Sequence, residues 1–380
     1  MKVVISKLDL VEIIGRIQNI VPTKPTSPIL GNVLCEAIDD QLVISATDLM
    51  VSMRCFVDAK VIEEGAIALP ARRFFQLIRE LTAPQVKIHA LTHESAEITT
   101  GSSLFKIHGM NREEFPQLPD LAESFEFHLQ KKVLKEMLSK TAFAAAKEDN
   151  RFALNSLRIY IAEQKVTCVA TDGKRLAKIV IPVEHLDPLV RGSYLLPLKA
   201  VDEMLKMVDD TENPVTLKFA RDKISVEAGT IALISKLLAG QYPDVERVIP
   251  RAIARECSVH REEWIALLRQ ISLFTSETSG SVRCTLETGQ LHLTAMSSEI
   301  GEGRVSMPVD YAGDKLEIAF NPFLLVDILR HSKDETVRLG LIDSHNPGVI
   351  TDSSAALFVL MPMRLTELPS AQPPAALAIE

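Results

Sequence analysis

The chain has 380 residues, 47% of them hydrophobic and 24% charged, with a formal net charge of −8. That length exceeds one ordinary core and predicts two or three domains of about 100 to 150 residues each. No run of about 18 apolar residues offers a membrane span, and the acidic balance argues against a protein that coats nucleic acid nonspecifically while leaving room for a local basic face.

"MKVVISKLDL" opens without the basic start and long apolar stretch of a signal peptide, so a cytoplasmic protein is expected. Its strand "KVVI" runs into the amphipathic helix "SKLDLVEIIGRIQNIV". "VISATDLMVSM", Val43 to Met53, then reads as strand, polar turn and strand, and "IALPARRFFQLIREL" as a strand end, a proline and a second helix. Alternation in "SAEITTGSSLFKIHG" predicts antiparallel strands with one solvated face.

The plan then repeats. "FEFHL" leads into the helix "QKKVLKEMLSKTAFAAA", "VTCVATDGKRLAKIV" rewrites the hairpin with Thr171-Asp172 where Thr47-Asp48 stood, and "YLLPLKAVDEMLKMV" supplies the proline and second helix. Asp48 and Asp172 stand 124 residues apart, and the same step again lands on Met296 in "QLHLTAMSSEIGEGRVSM". "RECSV", "HREEWIALLRQISLF" and "IAFNPFLLVDILRHS" complete a third copy. An internal period of this kind means repeated modules. Each copy reads strand, helix, strands, helix, strands, and so divides into two βαβββ halves. The predicted class is α+β, with three similar domains at 1–120, 125–250 and 253–366 and a Pro- and Ala-rich disordered tail at 367–380.

Chemistry is sparse. Cys35, Cys55, Cys168, Cys257 and Cys284 are far apart, form no C-x-x-C pair and sit in apolar strand contexts, which predicts small buried hydrophobes in a reducing compartment and no metal site. No H-E-x-x-H, G-x-S-x-G, Walker A or G-x-G-x-x-G pattern appears. Asp172 before a glycine is expected as a turn residue. No catalytic residues and no cofactor are predicted.

Four ordered motifs, "PTSPILGN" at Pro25 to Asn32, "ATDGKRLA" at Ala170 to Ala177, "YPDVERVIP" at Tyr242 to Pro250 and "VLMPMRL" at Val359 to Leu365, together with the triple repeat, resemble the bacterial DNA polymerase III beta subunit family, the sliding clamps. The resemblance covers the chain up to Leu365. It implies a homodimeric ring of the DNA-clamp fold, antiparallel sheets outside and helices lining the hole. Double-stranded DNA would pass through that hole while the clamp tethers the DNA polymerase III alpha subunit, the clamp loader and other proteins that carry clamp-binding motifs. The protein would then be a non-catalytic processivity factor, cytoplasmic and at the nucleoid during replication, with no membrane partner. The rival expectation from the residues alone is a multi-domain cytosolic enzyme whose catalytic residues are dispersed and whose apolar cleft is a substrate pocket.

The resemblance also implies sites. A partner-peptide cleft between the second and third domains would take Leu154; Thr171, Gly173, Lys174, Arg175 and Leu176; Pro243, Arg247 and Val248; Asn321; and Val359, Leu360, Met361, Pro362, Met363, Arg364 and Leu365. Methionines there suit varied apolar side chains, and Arg175 and Arg247 suit peptide carbonyls or carboxylates. Lys174 stands at a turn position that is often His in the family, Ser279 where an aromatic can line the cleft, and His345 and Pro347 in a loosely aligned loop, so peptide preference is open. DNA-facing cations would be Lys24, Arg72, Arg73 and Lys199, within a wider helical set of Arg79, Lys131, Lys132, Lys135, Lys140, Lys206, Arg330 and Lys333; Glu80, Glu136 and Glu203 share those helices. Phe105, Ile107, Leu273 and Phe274 match apolar positions of the ring joint, with core packing the alternative.

Overall fold

A computed structural model describes residues 1–364 except 93, 120, 122, 123, 185 and 276–279. Leu365, the expected tail at 367–380 and Ser279 therefore lie outside the described residues.

The first third contains β1 (Lys2–Ser6), α1 (Lys7–Ile17), β2 (Asn32–Ile38), β3 (Gln41–Thr47), β4 (Val51–Asp58), β5 (Lys60–Glu63), β6 (Gly65–Pro70), α2 (Ala71–Glu80), β7 (Gln85–Thr92), β8 (Ser95–Thr100) and β9 (Ser103–His108). The middle third follows with β10 (Phe125–Gln130), α3 (Lys131–Ala142), β11 (Ser156–Ala162), β12 (Lys165–Thr171), β13 (Arg175–Pro182), β14 (Gly192–Pro197), α4 (Leu198–Met207), β15 (Pro214–Phe219), β16 (Lys223–Ala228) and β17 (Ile231–Lys236). The last has β18 (Arg255–His260), α5 (Arg261–Ser272), β19 (Val282–Glu287), β20 (Gln290–Ser297), β21 (Gly301–Pro308), β22 (Leu316–Phe320), α6 (Pro322–His331), β23 (Thr336–Leu341), β24 (Gly348–Thr351) and β25 (Ala356–Leu360). The middle and last thirds are each two consecutive βαβββ halves; the first differs only by the added β5.

The halves exchange their opening strands. β18 pairs with β23 of the other half while β22 pairs with β19, so neither half closes a sheet alone. All ladders are antiparallel, and strands such as β1 and β17 alternate buried with half-buried residues, as one core-facing side requires. Each helix turns one apolar face inward: Leu10, Ile14 and Ile17 on α1, Ala71, Phe74 and Ile78 on α2, and Trp264, Ile265, Leu268 and Ile271 on α5 are buried.

The described parts of residues 1–170 with 180–242 form one compact unit, and those of residues 171–179 with 243–364 form a second. In the first unit, β4 pairs along its edge with β17, so one sheet runs β10-β15-β16-β17-β4-β3-β2-β6 beside a second of order β5-β1-β7-β8-β9. In the second unit Arg175–Ile179 of β13 pair with β25, followed by β24, β23 and β18, and a separate sheet runs β21-β20-β19-β22.

The repeated hairpin is built by side-chain caps. Thr47 Oγ1 accepts from Leu49 N–H and donates to the Val51 carbonyl, and Asp48 Oδ1 accepts from Met50 and Val51 N–H at 2.9 and 2.7 Å. Thr171 and Asp172 make the same four bonds with Gly173, Arg175 and Lys174. The residue after the Asp is left-handed in both, φ +75° at Leu49 and +86° at Gly173. In the third copy Ser297 ends β20 and its Oγ accepts from Glu299 N–H, so the equivalent of Asp48 is Ser298 and not Met296. The strict 124-residue step slips there by two residues. Lys333 is also not helical: α6 ends at His331, and the Lys333 N–H is bound by Asp352.

Candidate functional site

Sixteen of the seventeen expected cleft residues fall in the described chain, and all of these but Leu154 belong to the second unit. Leu154 is buried in the first unit, where its carbonyl accepts from Ala146 N–H. In the second unit the segment after β25 is pinned at alternate residues: Met361 N–H donates to the Lys174 carbonyl at 2.9 Å and Met363 N–H to the Ala319 carbonyl at 2.7 Å. Pro362, which has no N–H, takes the intervening position whose donor would point away from both partners. The 3-10 turn Val245–Arg247 is tied to β13 by Lys178 and Glu246, 2.5 Å apart.

Asn321 caps α6, its Oδ1 accepting from Phe323 and Leu324 N–H. Exposed apolar surface then comes from Val248, Met361 and Phe323, with Pro362 and Met363 half-buried. Leu176, Val359 and Leu360 are at most 2% exposed and form the floor beneath the surface rather than the surface itself. Phe323 was not expected; the "NPF" at the helix start was the signal for it.

Arg175 is engaged within the protein. Its NH1 lies 2.7 Å from Asp327 Oδ2 on α6 and its Nε 3.2 Å from Asp172 Oδ2, so the guanidinium braces the turn against the helix. Arg247 is exposed and, among the described residues, is bound to Asp244 alone, at 2.8 Å. The Lys174 ammonium is exposed and has no carboxylate partner among the described residues.

The cations of the first unit divide into free and bound. Lys24, in the loop before Pro25, and Arg72 and Arg73, in the first turn of α2, are exposed with no acidic partner among the described residues. Lys199 is bound to Asp48 and to the Ile20 carbonyl. On α3, Lys131, Lys132 and Lys135 pair with Asp209, Glu212 and Asp210 of the loop after α4. Hydrogen bonds from Thr211 and then the Lys131 charge hold Asp209 below the usual carboxylate range, and Lys132 does so for Glu212. Lys140 is buried, 3.9 Å from Glu136, and is not a surface cation. α2, α3 and α4 carry no acidic residue in their first turns and carry Arg72 and Arg73, Lys131 and Lys132, and Lys199 there. Cations at the positive end of a helix oppose its dipole by a few tenths of a kcal/mol each, a cost that an external anion would remove.

Of the expected joint residues, Leu273 is 71% and Phe105 37% exposed, and Phe274 and Ile107 are half-buried. No group of three or more His, Cys, Asp or Glu among the described residues has metal-binding geometry.

Family models of the DNA polymerase III beta subunit match consecutively: the N-terminal domain over residues 1–119, the central domain over 128–244 and the C-terminal domain over 246–364. The chain belongs to the DNA polymerase III beta subunit family. Among beta-subunit relatives, the beta sliding clamp of Chlamydia muridarum (strain MoPn / Nigg) is 48% identical over 366 residues, spanning 96% of this chain and 99% of that protein. The beta sliding clamp of Escherichia coli (strain K12) is 32% identical over 372 residues, spanning 96% and 100%. The crystal structure of the Pseudomonas aeruginosa sliding clamp bound to griselimycin superposes with a TM-score of 0.92 at 27% identity, covering 96% of this chain and all of that one. As in other beta subunits, the antiparallel three-module plan occupies nearly the whole chain; no helix of the described residues is long and apolar enough to cross a membrane.

Proposed function

We infer that the protein is a DNA sliding clamp, a non-catalytic processivity subunit that encircles duplex DNA and tethers the replicative polymerase. The observation that carries this reading is the consecutive match of all three beta-subunit domains, over residues 1–119, 128–244 and 246–364. Sliding requires contacts that hold without reading bases, and Lys or Arg contacts to phosphate meet that requirement. Of the four cations expected to face DNA, Lys24, Arg72 and Arg73 have no acidic partner among the described residues and are free to make them. Lys199 reaches phosphate only by sharing or leaving Asp48.

The chain acts as a head-to-tail homodimer of three-domain protomers, 1–120, 125–250 and 253–366, joined through the surfaces of Phe105 and Ile107 and of Leu273 and Phe274. Met361, Pro362, Met363, Val248 and the Lys174 turn receive short apolar peptides from the polymerase alpha subunit, the clamp loader and other clamp-binding proteins in the cytoplasm. Two or three buried peptide side chains, each worth about 1.5 to 3 kcal/mol, less the cost of ordering the peptide, give affinity on the order of micromolar, which permits exchange.

Two experiments test the reading. Protein loaded on nicked circular DNA should stay bound through a salt wash and run off once the circle is linearised; equal retention on both forms would defeat encirclement. Deleting Met361 to Leu365 should abolish binding of a polymerase alpha-subunit peptide in fluorescence anisotropy and leave the dimer intact, and undiminished binding would remove the cleft assignment.

A further inference from the structure

The pinned segment after β25 joins apolar surface to unpaired charge. Met361 is exposed, and Pro362 and Met363 are half-buried. Two cations border them: Lys174, whose carbonyl holds the Met361 N–H, and Arg364, which follows Met363. Both are exposed and have no carboxylate partner among the described residues. Such a surface suits an extended segment with a few large apolar side chains and a carboxylate beside them.

The chain carries a segment of that chemistry. The C-terminal family match ends at residue 364, and "LTELPSAQPPAALAIE", residues 365–380, continues directly from the wall of the cleft. Its charged residues are Glu367 and Glu380, and it has no lysine or arginine. Leu377 and Ile379 stand two residues apart, so in extended backbone their side chains share one face, with Glu380 next to them.

The tether has the right length. Met361 is three residues from Arg364 and so no more than about 11 Å from it. A twelve-residue spacer, the length of 365–376, spans about 17 to 21 Å at random-coil dimensions, enough to bring Leu377 back over Met361.

We propose that residues 377–380 dock on the Met361–Met363 surface of their own chain, Leu377 and Ile379 on the apolar patch and Glu380 at Lys174, and act as a tethered competitor of partner peptides. The proposal rests on the peptide cleft of the preceding section and adds a regulator of that cleft. A short tether holds its segment at an effective concentration of about 1 mM. With two apolar anchors and one ion pair the segment binds with a dissociation constant of about 0.2 mM, so it covers the cleft most of the time and weakens an outside peptide about sixfold.

The test is fluorescence anisotropy of a labelled polymerase alpha-subunit peptide, with the full chain compared to a chain ending at Leu365. The shortened chain should bind about sixfold more tightly, and a full chain carrying Leu377→Ser and Ile379→Ser should match it. A synthetic peptide of residues 366–380 should half-displace the label from the shortened chain at about 0.2 mM. Equal affinity of the full and shortened chains, or a doubly substituted chain that binds no better than the parent, overturns the docking and leaves the cleft standing. A difference that grows with protein concentration assigns the segment to the cleft of a second copy and overturns docking within one chain. Failure of the alpha-subunit peptide to bind either chain overturns the cleft itself, and the proposal with it.

Discussion

Thr171 Oγ1 donates to the Arg175 carbonyl and accepts from the Gly173 N–H, so one hydroxyl closes the turn that anchors Met361. Thr171→Val keeps the shape and orphans both partners, and should cost about 1 to 3 kcal/mol. Gly173→Ala places a side chain at φ +86° and should cost about 1 kcal/mol. Both are read by denaturant unfolding followed through Trp264, which is fully buried in α5. The five cysteines are buried and burial pushes each thiol up to about 12, so the native protein should resist alkylation at pH 8 and the unfolded chain should take up five equivalents, counted by mass spectrometry. At this scale the sequence was readable where chemistry is local: the Thr-Asp caps and the inert cysteines could be seen in the string. The brace between Arg175 and Asp327 could not, because 152 residues separate its members and nothing local marks a carboxylate on one helix as the partner of a turn in another module.

At the scale of elements, α3 and the loop after α4 form a unit of opposed charge. Asp209 and Glu212 have their carboxyls held below the usual range, so the stabilisation they give is present above the unfolded carboxylate values near about 4 and is lost as pH falls through the lowered folded ones. Amide exchange in the first turn of α3 should therefore quicken, relative to α5, as pH is taken below that range. The same loop screens Lys131, Lys132 and Lys135. Replacing Asp209, Asp210 and Glu212 by their amides should steepen the dependence of DNA affinity on salt, by about one unit of slope for each lysine that turns to phosphate. Helices, strands and their order were legible because apolar periodicity and the repeated proline survive in all three copies. The extra β5, the two-residue slip at Ser297 and the early end of α6 were not, since turn length is set by backbone geometry that leaves little trace in residue type.

At the scale of the molecule, the repeat predicted three modules, and family models of three domains match in succession over residues 1–119, 128–244 and 246–364. What spacing alone could not give is the exchange of opening strands between halves, which depends on partners as distant in sequence as Arg255 and Leu341 or Val282 and Phe320. Arg72→Ala and Arg73→Ala should weaken DNA binding equally on unrelated sequences and flatten the salt slope by about one unit each, because phosphate neutralisation carries no base information. A preference that changed with sequence would point to groove contacts instead.

β9 and β21 are unlike borders. One offers Lys106 with a protruding phenylalanine, the other Glu302 with a vacant glycine. Borders that differ in this way suit an unlike neighbour better than a copy of themselves, so any contact made through them has a direction.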